Sequence, residues 1–188
     1  FPYTTLFRSA SEGVLRELAF ALNMTGFGAG VFMYVGLLAL TMARHFLGAP
    51  VEGKMTPTLW VHLAPLSVIP LSMLALLKTT GDASLLRYGS LVAAAFLGAA
   101  LWWLVLAVSM TIRNRRQGKL PFALSWWAFV FPIGACSVLA YRVSELLALE
   151  VLPLVASGLT LLALFVWSAT ALGTVRGIRT GAIFAPAH

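Results

Sequence analysis

The stretch SWWAFVFPIGA, Ser125–Ala135, decides how this chain is read. It sets Pro132 inside a longer apolar segment, residues 122–147. A proline in a helix interior removes a backbone donor and clashes with the carbonyl one turn back, at a cost of about 3 kcal/mol. In a bilayer the freed carbonyl must be met by a neighbouring helix, by water or by a passing solute. A proline-broken segment is therefore expected to line a cavity. Phe129 and Phe131 lie two apart, so on a helix they point to different faces. One can face a lumen while the other packs.

Working outward, four more apolar segments appear, at about 18–45, 58–77, 88–112 and 151–175. Each reaches the roughly 20 residues needed to cross a hydrocarbon core. None shows the polar stripe of a soluble amphipathic helix. The composition agrees: 60% of the 188 residues are hydrophobic and 10% charged, against roughly 25% charged in soluble domains. Mean hydropathy is +0.92. The expected fold class is an all-α integral membrane protein with five transmembrane helices. The pI of about 10.3 does not signal nucleic-acid binding, because the basic residues fall between apolar segments and form no single soluble face.

Prolines divide the segments into two kinds. Segment two carries Pro65 and Pro70, and segment four carries Pro132. Segments one and three have none, and Pro153 of segment five sits in the first turn, where proline is tolerated. Pro65, Pro70 and Pro132 are thus expected kinks in cavity-lining helices, with segments one, three and five as scaffold.

Lys and Arg placement gives an orientation. The side on which segment one ends holds Arg44, Lys54, Arg113, Arg115, Arg116, Lys119, Arg176 and Arg179, with Glu52 its only acid. The opposite side mixes Arg16, Lys78, Arg87 and Arg142 with five acids. The basic side, which includes the C-terminus, is expected in the cytoplasm, which makes this a multi-pass protein of the cell inner (plasma) membrane.

The sequence offers little for catalysis. No carboxylate, lysine or arginine lies deep in a segment, and no His/Cys/carboxylate cluster suggests a metal. Nucleophile, base and orienter cannot be assembled. No enzyme activity, cofactor or metal is expected. The single Cys136 has no internal disulfide partner. His62, about one turn into segment two, reads as an interfacial or packed histidine, or as lining. Trp126 and Trp127 sit where an aromatic belt is expected, and Trp127 and Phe129 can pack or line a pore. Without intramembrane acids, a pathway lined by Phe, Ser, Thr and kinked backbone suits a weakly held solute. An anion can be drawn in by the basic cytoplasmic rim and by local N–H groups.

The first nine residues, FPYTTLFRS, read as an in-frame translation of a sequencing adapter, with no initiator Met. They are set aside as an artefact. Residues 10–188 are then expected to be the C-terminal half of a longer transporter or channel domain.

WWAFVFP, Trp126–Pro132, resembles the signature of the tellurite-resistance/dicarboxylate transporter family, which includes bacterial tellurite-resistance proteins, yeast malate permeases and plant slow anion channels. PTLWVHLAPLSV, Pro57–Val68, is similar to that family's seventh helix, although Pro65-Leu66 stands where Pro-Pro is common. GAIFAP, Gly181–Pro186, is similar to its usual ending. The resemblance implies a ten-helix bundle of five hairpins around a central pore, trimeric in the bacterial prototype, with odd helices lining the pore. The five segments would be helices six to ten. Segments two and four would then be pore-lining, in agreement with the prolines. The resemblance also implies that Phe131 plugs the pore as its gate, with Phe129 packed behind it. The implied substrates are small anions or organic acids such as C4-dicarboxylates, moved by a channel or a carrier through a homotrimer embedded in membrane lipid. The alternative is a non-transporting membrane subunit that binds a partner protein and needs no continuous lumen.

Overall fold

The computed structural model describes the backbone of residues 2–48 and 56–181, and side chains from residue 13 onward within those ranges. Glu52, Lys54 and residues 182–186 of the closing motif lie outside the described residues, as do the side chains of Phe1–Ser9. The elements are α1 (Pro2–Leu47), α2 (Thr56–Val61), α3 (Leu63–Thr80), α4 (Ala83–Arg116), a 3₁₀ helix (Leu124–Phe129), α5 (Val130–Leu147) and α6 (Leu152–Thr180). Among the described residues, five stretches are long and apolar enough to cross a membrane: Gly13–Leu47, Thr56–Thr80, Ala83–Arg116, Leu124–Leu147 and Leu152–Thr180. They coincide with the five expected segments. Most reach beyond the expected limits, because helical hydrogen bonding continues into the polar flanks.

The chain divides into two units, residues 1–42 and 43–188. The first is a single helix. Two of its described polar side chains are returned to its own backbone: Asn23 donates to Ala19 O at 2.7 Å and Thr25 to Ala21 O at 2.9 Å. Such i→i−4 bonds suit a helix in a medium without water.

The second unit is built on two antiparallel hairpins. Gly81 ends α3 in the left-handed conformation (φ 74°), and Asp82 at once caps α4. The Asp82 carboxylate accepts from Ser84 N at 2.8 Å and Leu85 N at 3.1 Å, satisfying two otherwise orphan donors. The α5–α6 turn is closed by Ala148, also left-handed at φ 52°. Helices α3, α4 and α5 pack on one another, and α6 packs on α5 and the 3₁₀ helix. The core lies between Leu63, Leu66 and Leu74 of α3, the stripe Ala93, Leu97, Ala100, Trp103 and Ala107 of α4, and Ile133, Cys136, Leu139 and Val143 of α5. Ala93, Ala100 and Ala107, at i, i+7 and i+14 of α4, let the backbones approach closely, which is how helices gain packing energy where lipid is as apolar as the side chains.

The prolines act at places that the sequence pattern did not specify. Segment two breaks once, at His62, between α2 and α3. That is three residues before Pro65, whose missing N–H and ring bear on the carbonyl of Val61, one turn earlier. Pro70 sits buried inside an uninterrupted α3. Pro132 is not mid-helix: it is the third residue of α5, just after the 3₁₀ helix. Phe129 and Val130 both lie in the right-handed helical region, so the 3₁₀ helix runs straight into α5, and the missing N–H of Pro132 is lost to the carbonyls at that junction. Segment four therefore changes helix type just before its proline.

Candidate pore face

Three side-chain hydrogen bonds tie the short helix α2 to α4. Asn114 Nδ2 donates to Thr56 Oγ1 at 2.7 Å, with Thr56 fully buried. Trp103 Nε1 donates to Leu59 O at 2.7 Å. Trp60 Nε1 donates to Thr111 Oγ1 at 3.0 Å. Half of a broken helix has lost part of its own ladder, and these bonds to a continuous neighbour hold it in place. Sequence reasoning missed all of them: a Trp in an apolar run signals burial, and nothing local signals which backbone group its N–H will find.

His62 stands at the break. Its ring meets Trp103 edge-on, with centroids 5.1 Å apart, and His45 approaches the same indole at 5.7 Å. His62 is thus part of a packed aromatic group at the joint of segment two.

The 3₁₀ helix sets the two phenylalanines. Phe129 is 4% exposed. Its ring lies edge-on against Trp60 at 5.2 Å and against Trp126 at 5.8 Å. Trp126 also stacks obliquely on Phe122 at 5.4 Å. Trp127 is half-exposed and donates Nε1 to Thr174 Oγ1 of α6 at 3.2 Å, so it packs toward α6. The Phe122 ring lies against Gly173 of α6, and a Cβ there would force the ring to shift. Phe131 is 65% exposed. Ile133, Cys136, Leu139, Ala140 and Val143 of α5 are fully buried, and Phe131, Val138, Tyr141 and Arg142 are exposed. Helix α5 thus has one packed face and one open face, and Phe131 stands at the beginning of the open one.

The same contacts arrange the charges. Asn114–Thr56 places the C-terminus of α4 beside the start of segment two, and Trp127–Thr174 places the 3₁₀ helix beside the latter half of α6. Arg113, Arg115, Arg116, Lys119, Arg176 and Arg179 therefore gather at one end of the unit, with no acidic residue there among the described residues. The other end mixes Lys78, Arg87 and Arg142 with Asp82, Glu145 and Glu150.

A bundle of apolar helices long enough to span a membrane, one of them interrupted at His62, with positive charge gathered at one end, defines a multi-pass membrane protein. Residues 3–175 match the profile of the voltage-dependent anion channel (SLAC1) family, and the chain belongs to that family. It is similar to two proteins of Methanocaldococcus jannaschii, uncharacterized transporter MJ0576 (32% identical over 172 residues) and uncharacterized transporter MJ0762 (31% over 172 residues). Each alignment covers 92% of this chain and 50% of the relative, so the chain spans about half the length of the curated relatives it matches. No solved structure matches it.

Proposed function

We propose that this chain supplies half of a pore that conducts small anions or organic acids, C4-dicarboxylates among them, with Phe131 as its hydrophobic gate. One observation carries the reading: Phe131 is 65% exposed on the open face of α5, while Phe129, two residues earlier, is held between Trp60 and Trp126. An exposed ring at the start of a pore helix, anchored by a locked neighbour, makes a constriction that side-chain rotation can widen. The family's description and the transporter names of its relatives support an anion pathway. Segment two, interrupted near Pro65, and segment four, which changes helix type just before Pro132, are the lining helices in this reading, and Pro70 adds a second proline to the first of them. The basic end faces the cytoplasm and concentrates anions at the inner mouth. Ten helices per subunit, a homotrimer and the inner membrane complete the assembly.

The test is anion flux through the full reading frame in vesicles. Phe131→Ala is expected to raise flux about tenfold by removing the constriction. Unchanged flux from a normally inserted variant would remove the gate.

A further inference from the structure

A cleft of about 560 Å³ opens between α5 and α6, in the half of that hairpin next to its turn. Ser137, Tyr141, Arg142, Glu145, Ser157 and Thr160 contribute its polar lining. Three of the hydroxyls serve the helices themselves: Ser137 and Thr160 donate to Ala156 O at 2.8 and 2.9 Å, and Ser157 to Pro153 O at 2.8 Å. The cation of the cleft is Arg142. Neither Lys78 nor Arg87, the other described cations at this end of the second unit, lines it.

Arg142 shares the open face with the proposed gate. Phe131, Val138, Arg142 and Glu145 recur at i, i+7, i+11 and i+14, which superimposes them on one side of a helix. Eleven residues of α5 separate Arg142 from Phe131 by about 16 Å along the axis. Arg142 therefore stands at the mouth opposite the basic end. Its Nη1 meets Glu145 Oε2 at 2.9 Å, and the two side chains are 58% and 43% exposed. Water screens so open a pair, and it exchanges readily. A guanidinium has five donors, and Glu145 takes one of them. The fork that accepts the Glu145 carboxylate presents the same geometry to an arriving carboxylate or oxyanion.

We propose that Arg142 recruits small carboxylates or oxyanions at this mouth of the permeation path, with Glu145 as its tethered competitor. The assignment rests on the reading of the Phe131 face as pore lining. An entering anion takes over the donors of Arg142, and the Glu145 carboxylate swings away from the guanidinium. When the anion leaves toward Phe131, Glu145 returns. The mouth thus attracts anions without trapping them, as conduction requires.

The full reading frame, carrying Phe131→Ala for a measurable current, is reconstituted in phosphatidylcholine bilayers under a potassium nitrate gradient, and the reversal potential is read. Arg142→Gln should lower the nitrate-to-potassium permeability ratio by about threefold, and Glu145→Gln should raise it by a similar factor. Arg142→Lys, which keeps the charge but loses the guanidinium fork, should fall between the parent and Arg142→Gln. Opposite signs distinguish recruitment from a structural ion pair, because breaking a mere staple from either side gives the same effect. Two variants that move together, or that do not move, overturn the assignment while leaving the pore intact. If Arg142→Gln does not insert, Glu145→Gln decides alone: an unchanged or lowered ratio overturns the proposal. Absence of any current from Phe131→Ala overturns the pore reading, and this proposal with it.

Discussion

The indole Nε1 of Trp103, near the middle of α4, donates to the carbonyl oxygen of Leu59 at 2.7 Å, three residues before segment two breaks at His62. Trp103 is 2% exposed, and both His62 and His45 rest on its ring. One side chain thus supports the broken helix through its polar edge and its joint through its apolar face. Trp103→Phe keeps most of the apolar volume and removes the donor. It should lower stability by about 1–2 kcal/mol, because a buried hydrogen bond is lost and its acceptor stranded. Thermal unfolding in detergent checks this. An unchanged midpoint would mean that α2 needs no such support.

Thr56 and Asn114 form the second tie of α2 to α4. Asn114→Ala leaves the Thr56 hydroxyl buried without this donor, at a cost of about 1–2 kcal/mol. In a double-mutant cycle with Thr56→Val, the pair should show a coupling of about 1 kcal/mol. A purely additive cycle would show that the two residues act separately.

Phe129 and Phe131 should respond differently to truncation. Phe129→Ala removes a ring held by Trp60 and Trp126 and should reduce the yield of folded protein, with a loss of about 2–4 kcal/mol. Phe131→Ala removes an exposed ring and should leave the unfolding midpoint unchanged while flux rises. Parallel stability and flux measurements separate the two roles. Equal destabilisation by both would place Phe131 in the packed core instead.

Ala148 closes α5 at φ 52°, a conformation that an L side chain disfavours. Its N–H bonds to Ser144 O, so the turn depends on that backbone shape. Ala148→Gly should raise stability by about 0.5–1 kcal/mol, since glycine adopts it freely. A lower midpoint would show that the methyl group makes a contact worth more than the strain.

How much of this was legible beforehand differs from residue to residue. That Phe129 and Phe131 face different ways follows from their separation: two residues on a helix turn by about 200°. Which of them is buried is not local information. It depends on Trp60, 69 positions away, meeting Phe129 across the junction. Pro132 shows the opposite limit. Its presence announces a disturbance in segment four, but the chain places that disturbance before the proline, as a 3₁₀ turn, and leaves α5 regular after it.

The sequence by itself determined the five spans and the concentration of positive charge on one set of flanks. A run of some twenty apolar residues has one answer in a bilayer, a hydrogen-bonded helix, and charge cannot follow it into the hydrocarbon. Only the tertiary structure decided that segment two breaks at His62, that α2 is tied to α4 across 44 to 58 residues of chain, and which face of α5 stays open. Those outcomes rest on complementarity between helices distant in sequence. A donor aimed at a bare carbonyl, or a ring fitted against another ring, leaves no trace in the local periodicity of either helix.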